Sequence, residues 1–176
     1  MRISYIFCIT FVILLVNSCG SSKSTSSSYN SDTSSNKSTN TDYNSTNRYS
    51  TERFRDLKAA KQRVYKDYFS SAQDAWYANN WSLAIKYLDI VINIKPDADA
   101  YWMRAFAKSE LKNHTGAVDD YLEATKLRVD FVYAYNNLAS EKYNYFKIIE
   151  SSIRDLEKAI YYDNTYALAY YNIAVI

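Results

Sequence analysis

Four alanines, Ala72, Ala105, Ala139 and Ala174, recur in this chain at intervals of 33, 34 and 35 residues, each inside an apolar pattern of helical period. A period of this size marks stacked helix pairs, because one pair cannot bury its apolar face alone and its neighbours must complete the core. Aligned on the alanines, the units run 65–97, 98–131 and 132–166, with a partial 167–176. The chain has only two Gly and one Pro in 176 residues. That disfavours a turn-rich β fold and suits helices joined by short loops. The expected fold is all-α: a short helix-turn-helix solenoid of three repeats plus a partial fourth, after a disordered linker.

Small residues recur again twelve or thirteen positions after three of these alanines, giving the pairs Ala72/Ala84, Ala105/Ala117 and Ala139/Ser152. A large residue follows each pair (Leu88, Tyr121, Leu156), then a small or medium one (Val91, Ala124, Ala159). With the stretches Ala134-Tyr135-Asn136-Asn137-Leu138-Ala139 and Ala169-Tyr170-Tyr171-Asn172-Ile173-Ala174, this resembles the tetratricopeptide (TPR) family over Tyr65 to Ile176. The resemblance implies that each small pair sits where helix A crosses helix B. Pro96 falls where helix B must stop, since proline cannot continue a helix. The sequence departs from the family at the turn between the helices. The usual Gly is replaced by Asn79, which tolerates a left-handed backbone, and by Lys112. The third unit carries an extra residue, so its inner turn around Tyr145 to Glu150 is expected to be atypical. Val129 and Asn164 stand where the family has Pro.

Upstream, Met1 and Arg2 precede an apolar run from Ile3 to Val16. Fourteen helical residues reach about 21 Å, short of a hydrocarbon core of about 30 Å, so a signal peptide fits better than a permanent span. Leu15-Val16-Asn17-Ser18-Cys19-Gly20 resembles a bacterial lipobox, although Asn17 is not its commonest residue. The resemblance implies cleavage after residue 18 and lipidation of Cys19, whose thiol alone can form the thioether. An ordinary secretory signal with a chance Cys and an uncleaved anchor are the other readings. Four sequons, at Asn36, Asn44, Asn80 and Asn113, carry little weight in so Asn- and Ser-rich a chain. Residues 19–50 read as the lipidated Cys and a disordered tether, because Ser21–Ser50 contain no aliphatic side chain to offset the entropy of ordering. Residues 51–64 read as a basic helix running towards or into the first repeat. Phe54, Leu57, Lys61, Val64 and Tyr68 mark one of its faces. Its cations read as a solvated face or as a contact for anionic lipid head groups.

No catalytic constellation emerges, so an enzyme is not expected, nor is any cofactor or metal. Cys8 and Cys19 are the only cysteines and both precede the tether, so the body of the chain has no thiol chemistry. His114 is the only histidine and takes the place of a packing aromatic. Asp119, Asp120 and Glu110 read as solvated helix faces. A formal net charge of +2 gives no field for nucleic acid.

Binding remains. The TPR resemblance implies that four positions of each helix A line a groove: Lys66, Phe69, Gln73 and Trp76, then Asp99, Trp102, Phe106 and Ser109. The third unit adds Tyr133, Asn136, Ser140 and Tyr143, and the partial fourth Leu168 and Tyr171. The candidate peptide-binding residues are Phe69, Gln73, Trp76, Trp102, Phe106, Tyr133, Asn136, Asn137 and Tyr143, the two asparagines as hydrogen-bonders to an extended backbone. Packing between neighbouring repeats is the alternative role for each ring. The chaperone-tail-binding subfamily needs Lys, Asn and Arg where this chain has Phe69, Gln73, Met103 and Tyr133, and only Asn137 fits, so an acidic C-terminal tail is not the expected ligand. The implied protein is a lipid-anchored adaptor of the bacterial envelope, on the periplasmic side of the outer membrane, with a protein or extended peptide as partner. A structural subunit of a larger outer-membrane assembly and a glycan-binding accessory lipoprotein are the alternatives. The apolar end Ile173-Ala174-Val175-Ile176 reads as a cap, an interface or a truncation.

Overall fold

A computed structural model describes the chain from Thr39 to Ile176, with side chains from Arg48 onward. The expected signal peptide, Cys19 and the first part of the expected tether lie outside these residues. Among the described residues seven helices follow one another: α1 (Thr39–Tyr77), α2 (Trp81–Ile94), α3 (Ala98–Glu110), α4 (His114–Leu127), α5 (Val132–Phe146), α6 (Ile149–Tyr162) and α7 (Ala167–Val175). Among the described residues no helix is long and apolar enough to cross a membrane.

The pairs α1/α2, α3/α4 and α5/α6 are the three repeats, and α7 is helix A of the fourth. Each expected crossing point is sealed: Ala72, Ala84, Ala105, Ala117, Ala139 and Ser152 are all fully buried, as are Leu88 and Leu156. Ser152 takes the place of an alanine because its hydroxyl donates to the Ile148 carbonyl at 2.6 Å, leaving no unmet polar group at the contact. The core belongs to no single repeat. Ala72, Leu88 and Met103 join α1, α2 and α3; Ala105, Tyr121 and Leu138 join α3, α4 and α5; Ala139, Leu156 and Ala169 join α5, α6 and α7. Ala174, the partial unit's counterpart, is exposed because no helix crosses it.

The turns keep the family's geometry with other residues. Asn79, Lys112 and Lys147 all adopt positive φ, at 56°, 66° and 56°. The extra residue of the third unit is absorbed in α5, which has 15 residues against 13 in α3, and the left-handed residue still follows it. Lys95, Arg128 and Asp163 end α2, α4 and α6 with the same extended backbone, and each N–H bonds a carbonyl one turn back (Val91, Ala124, Ala159). Pro96 reinforces a stop that its replacements make without it.

The helix expected over 51–64 runs without a break into helix A of the first repeat, and α1 is helical from Thr39. Ser, Thr and Asn are poor helix formers. No Gly or Pro interrupts 39–64, however, and extending a helix already fixed by packing needs no new nucleus.

Candidate functional site

The A helices α1, α3, α5 and α7 meet through side chains of their groove positions, and the row has three sections. Between α1 and α3 it is aromatic. The Trp76 ring lies 5.8 Å from that of Trp102 and 5.2 Å from that of Phe106, centroid to centroid. Trp102 continues to Phe131 at 6.0 Å, and Phe69 stacks on Tyr65 at 5.8 Å. Tyr65 in turn donates to Asp97 at 2.9 Å; burial first, and then this carboxylate, push its pKa well above the tyrosine range. The rings interlock across repeats, as the packing alternative has it, while Phe69, Trp76, Trp102 and Phe106 each stay partly exposed. Gln73 is also half-buried in this section.

Trp81, which sequence reasoning did not single out, completes the cluster at 5.9 Å from Trp76 and 5.6 Å from Phe106. It begins α2 at the place His114 holds in α4, so aligning the two units would have flagged it.

Two indole N–H groups, Trp76 Nε1 and Trp102 Nε1, are buried in this cluster without a hydrogen-bond acceptor. A buried donor left unmet costs about 1–3 kcal/mol, and native structures contain few of them.

Between α3 and α5 the row is polar. Ser109 donates to Glu141 Oε1, and Glu141 Oε2 lies 3.0 Å from His114 Nδ1. His114 also stacks on Tyr145, so it fills the packing role expected and adds a polar contact with Glu141.

Between α5 and α7 the row is amphipathic. Tyr133 is 56% exposed and meets Tyr166 edge-on at 5.5 Å. Tyr143 donates to the Val175 carbonyl at 3.4 Å. Of the two asparagines expected to hold a peptide backbone, Asn136 is buried, and its Oδ1 accepts from Asn172 Nδ2 at 2.8 Å. Asn137 is half-buried, and its Oδ1 accepts from Asn136 Nδ2 at 3.4 Å. Asn136 is therefore a tie between α5 and α7 rather than a free hydrogen-bonder, because its carboxamide faces the next helix A.

The acidic residues bring another correction. Asp120 is not a solvated carboxylate: it is 4% exposed and accepts from Arg104 at 2.7 Å and Lys108 at 2.7 Å. Arg104 and Lys108 lie one turn apart on α3 and both face α4. Burial opposes the charge on Arg104, but Asp120 and Asp89 outweigh it and raise its pKa. Lys142 and Asp155 make the equivalent pair in the third repeat at 2.5 Å.

No family model matches the chain, and no curated protein does. Solved structures do. The first TPR of Spaghetti (RPAP3), bound to the HSP90 peptide SRMEEVD, has a TM-score of 0.61 at 16% identity over 64% of this chain and 90% of that one. The TPR2B domain of yeast Sti1, in complex with an Hsp70 peptide, has a TM-score of 0.58 at 22% identity, covering 64% and 98%. MamA has a TM-score of 0.61 at 18% identity, covering 73% and 80%. The chain from α1 to α7 thus has a TPR-type fold.

Proposed function

We propose that this chain is a lipid-anchored adaptor of a bacterial envelope, whose A helices grip an extended protein segment along the aromatic section between α1 and α3. The observation that carries the reading is the pair of buried, acceptor-free indole N–H groups in a partly exposed aromatic cluster. A peptide carbonyl reaching either donor as the rings turn aside offsets the cost of leaving it unmet, and the rings around it supply the apolar contact of a hot spot. Two of the similar TPR domains hold peptides, which supports the ligand class without naming the ligand. The HSP90 peptide SRMEEVD is acidic, whereas this chain has the uncharged Phe69, Gln73 and Met103 where the resemblance would want a basic clamp. The ligand is accordingly a neutral, apolar-rich segment. Its anchor is the lipid on Cys19, and no catalytic step belongs to this reading.

The test is selection from a displayed peptide library on the full chain carrying Cys19→Ser, followed by affinity measurement on variants. Trp102→Ala is a poor probe, because the ring also joins repeats and its loss costs about 3–5 kcal/mol of stability. Trp102→Phe keeps an aromatic and removes the donor. The expected result is stability held within about 1 kcal/mol with selected peptides bound at least fivefold more weakly. Equal affinity for parent and Trp102→Phe sinks the proposal.

A further inference from the structure

The first half of α1 carries a surface that the peptide reading does not use. Every residue from Arg48 to Arg63 is exposed. Between Arg48 and Lys66 there are seven basic residues and two acidic ones, Glu52 and Asp56. Among the described residues none of these cations makes an ion pair, whereas Arg104, Lys108 and Lys142 in the repeats all do. Two large apolar side chains stand among them, Phe54 at 74% exposure and Leu57 at 46%.

Their placement is ordered. At about 100° per residue, Phe54 and Leu57 share one stripe, Lys61 continues it, and Arg53 and Lys58 flank it at about 70° on either side. Glu52 lies on the opposite side. Further along the helix the same stripe becomes Val64 and Tyr68, and Tyr68 packs against the first repeat's core. The stripe that seats α1 in the solenoid therefore continues beyond it, now bordered by cations.

We infer that the exposed half of α1 lies on an anionic lipid bilayer, with Phe54 and Leu57 entering the head-group boundary and Arg53, Lys58 and Lys61 meeting lipid phosphates. An apolar stripe edged by Lys and Arg on a helix of low overall hydropathy is the pattern of an interfacial helix, and basic residues beside an anionic leaflet add to its affinity one by one. The same charge disfavours a second copy of the helix as occupant, because two such stripes would bring their cations together. Nucleic acid would use the cations but not Phe54 and Leu57. A lipid on Cys19 would keep Thr39 within about 70 Å of the bilayer by chain length alone. To that extent the inference leans on the anchoring reading, although the charge pattern stands without it.

The experiment uses the full chain with Cys19→Ser throughout, so that acylation cannot supply the binding. Partition is measured onto vesicles of phosphatidylcholine and onto vesicles of phosphatidylcholine mixed with phosphatidylglycerol. Affinity contributed by the apolar run Ile3–Val16 appears on both and in every variant. The expected result is a preference for anionic vesicles that salt weakens. Arg53→Glu/Lys58→Glu/Lys61→Glu lowers binding to anionic vesicles about 100-fold, and Phe54→Ser/Leu57→Ser lowers it at least tenfold, with helical content unchanged in both. Equal partition of the charge-reversed protein overturns the inference. So does binding to double-stranded DNA that survives Phe54→Ser/Leu57→Ser, or a dimer in sedimentation that the same change dissolves.

Discussion

Asp120 holds two cations against α4, and its removal is the sharpest single-residue probe of the interior. Asp120→Asn leaves Arg104 and Lys108 half-buried without their shared counterion and is expected to cost about 3 kcal/mol, read by denaturant unfolding. The pairing was legible in principle, since Lys108/Asp120 and Lys142/Asp155 occupy equivalent places in two repeats. Periodicity of apolar residues alone did not reveal it, because helix pattern does not say which polar faces meet. Tyr121 gives a pH signature. Burial, with Glu141 nearby, raises its pKa above the ordinary 10.0. Its contribution is therefore fully present below pH about 10 and is lost at higher pH, where unfolding releases a proton. Stability should fall above pH 10, and less steeply in Tyr121→Phe. Cys19 is tested in cells: Cys19→Ser should abolish labelling by fatty acid and leave an unprocessed or mislocalised chain.

At the scale of elements, the turns separate residue identity from geometry. The sequence departs from the family at Lys112, where the usual Gly is missing, and around Lys147, where the extra residue was expected to make the turn atypical. The backbone takes the left-handed region at both, because closing a helix pair so tightly requires it whatever residue is present. A side chain there is strained, so Lys112→Gly should raise stability by up to about 1 kcal/mol in thermal unfolding. Helix starts behave similarly. Asn80 and Asn113 cap α2 and α4, accepting from Leu83 and Gly116, while Ile148, at the N-cap of α6, offers no side-chain hydrogen bond. Ile148→Asn should stabilise the third repeat by about 1 kcal/mol, and no gain would mean that Ile148, 47% exposed, contributes more packing than its exposure suggests.

For the molecule as a whole, the repeat period and the small crossing residues made the solenoid readable before any coordinates. Side-chain pairing along the A helices was not. Which rings interlock, and that Asn136 ties α5 to α7, depend on distances between units that no spacing encodes. Because every core cluster spans two repeats, stability is a sum of neighbour terms, and Ala105→Leu at the central crossing should cost about 1–3 kcal/mol and loosen α3 through α5 together. The central claim is that the aromatic section binds a peptide through its indole donors. The chain has three tryptophans, Trp76, Trp81 and Trp102, so a proton–nitrogen correlation spectrum reports three indole signals. Titration with a library-selected peptide should move the Trp76 and Trp102 signals downfield to saturation, as each N–H gains an oxygen acceptor, with a smaller change at Trp81. Saturation with Trp76 and Trp102 unmoved, or a library that yields no binding peptide, would contradict the account.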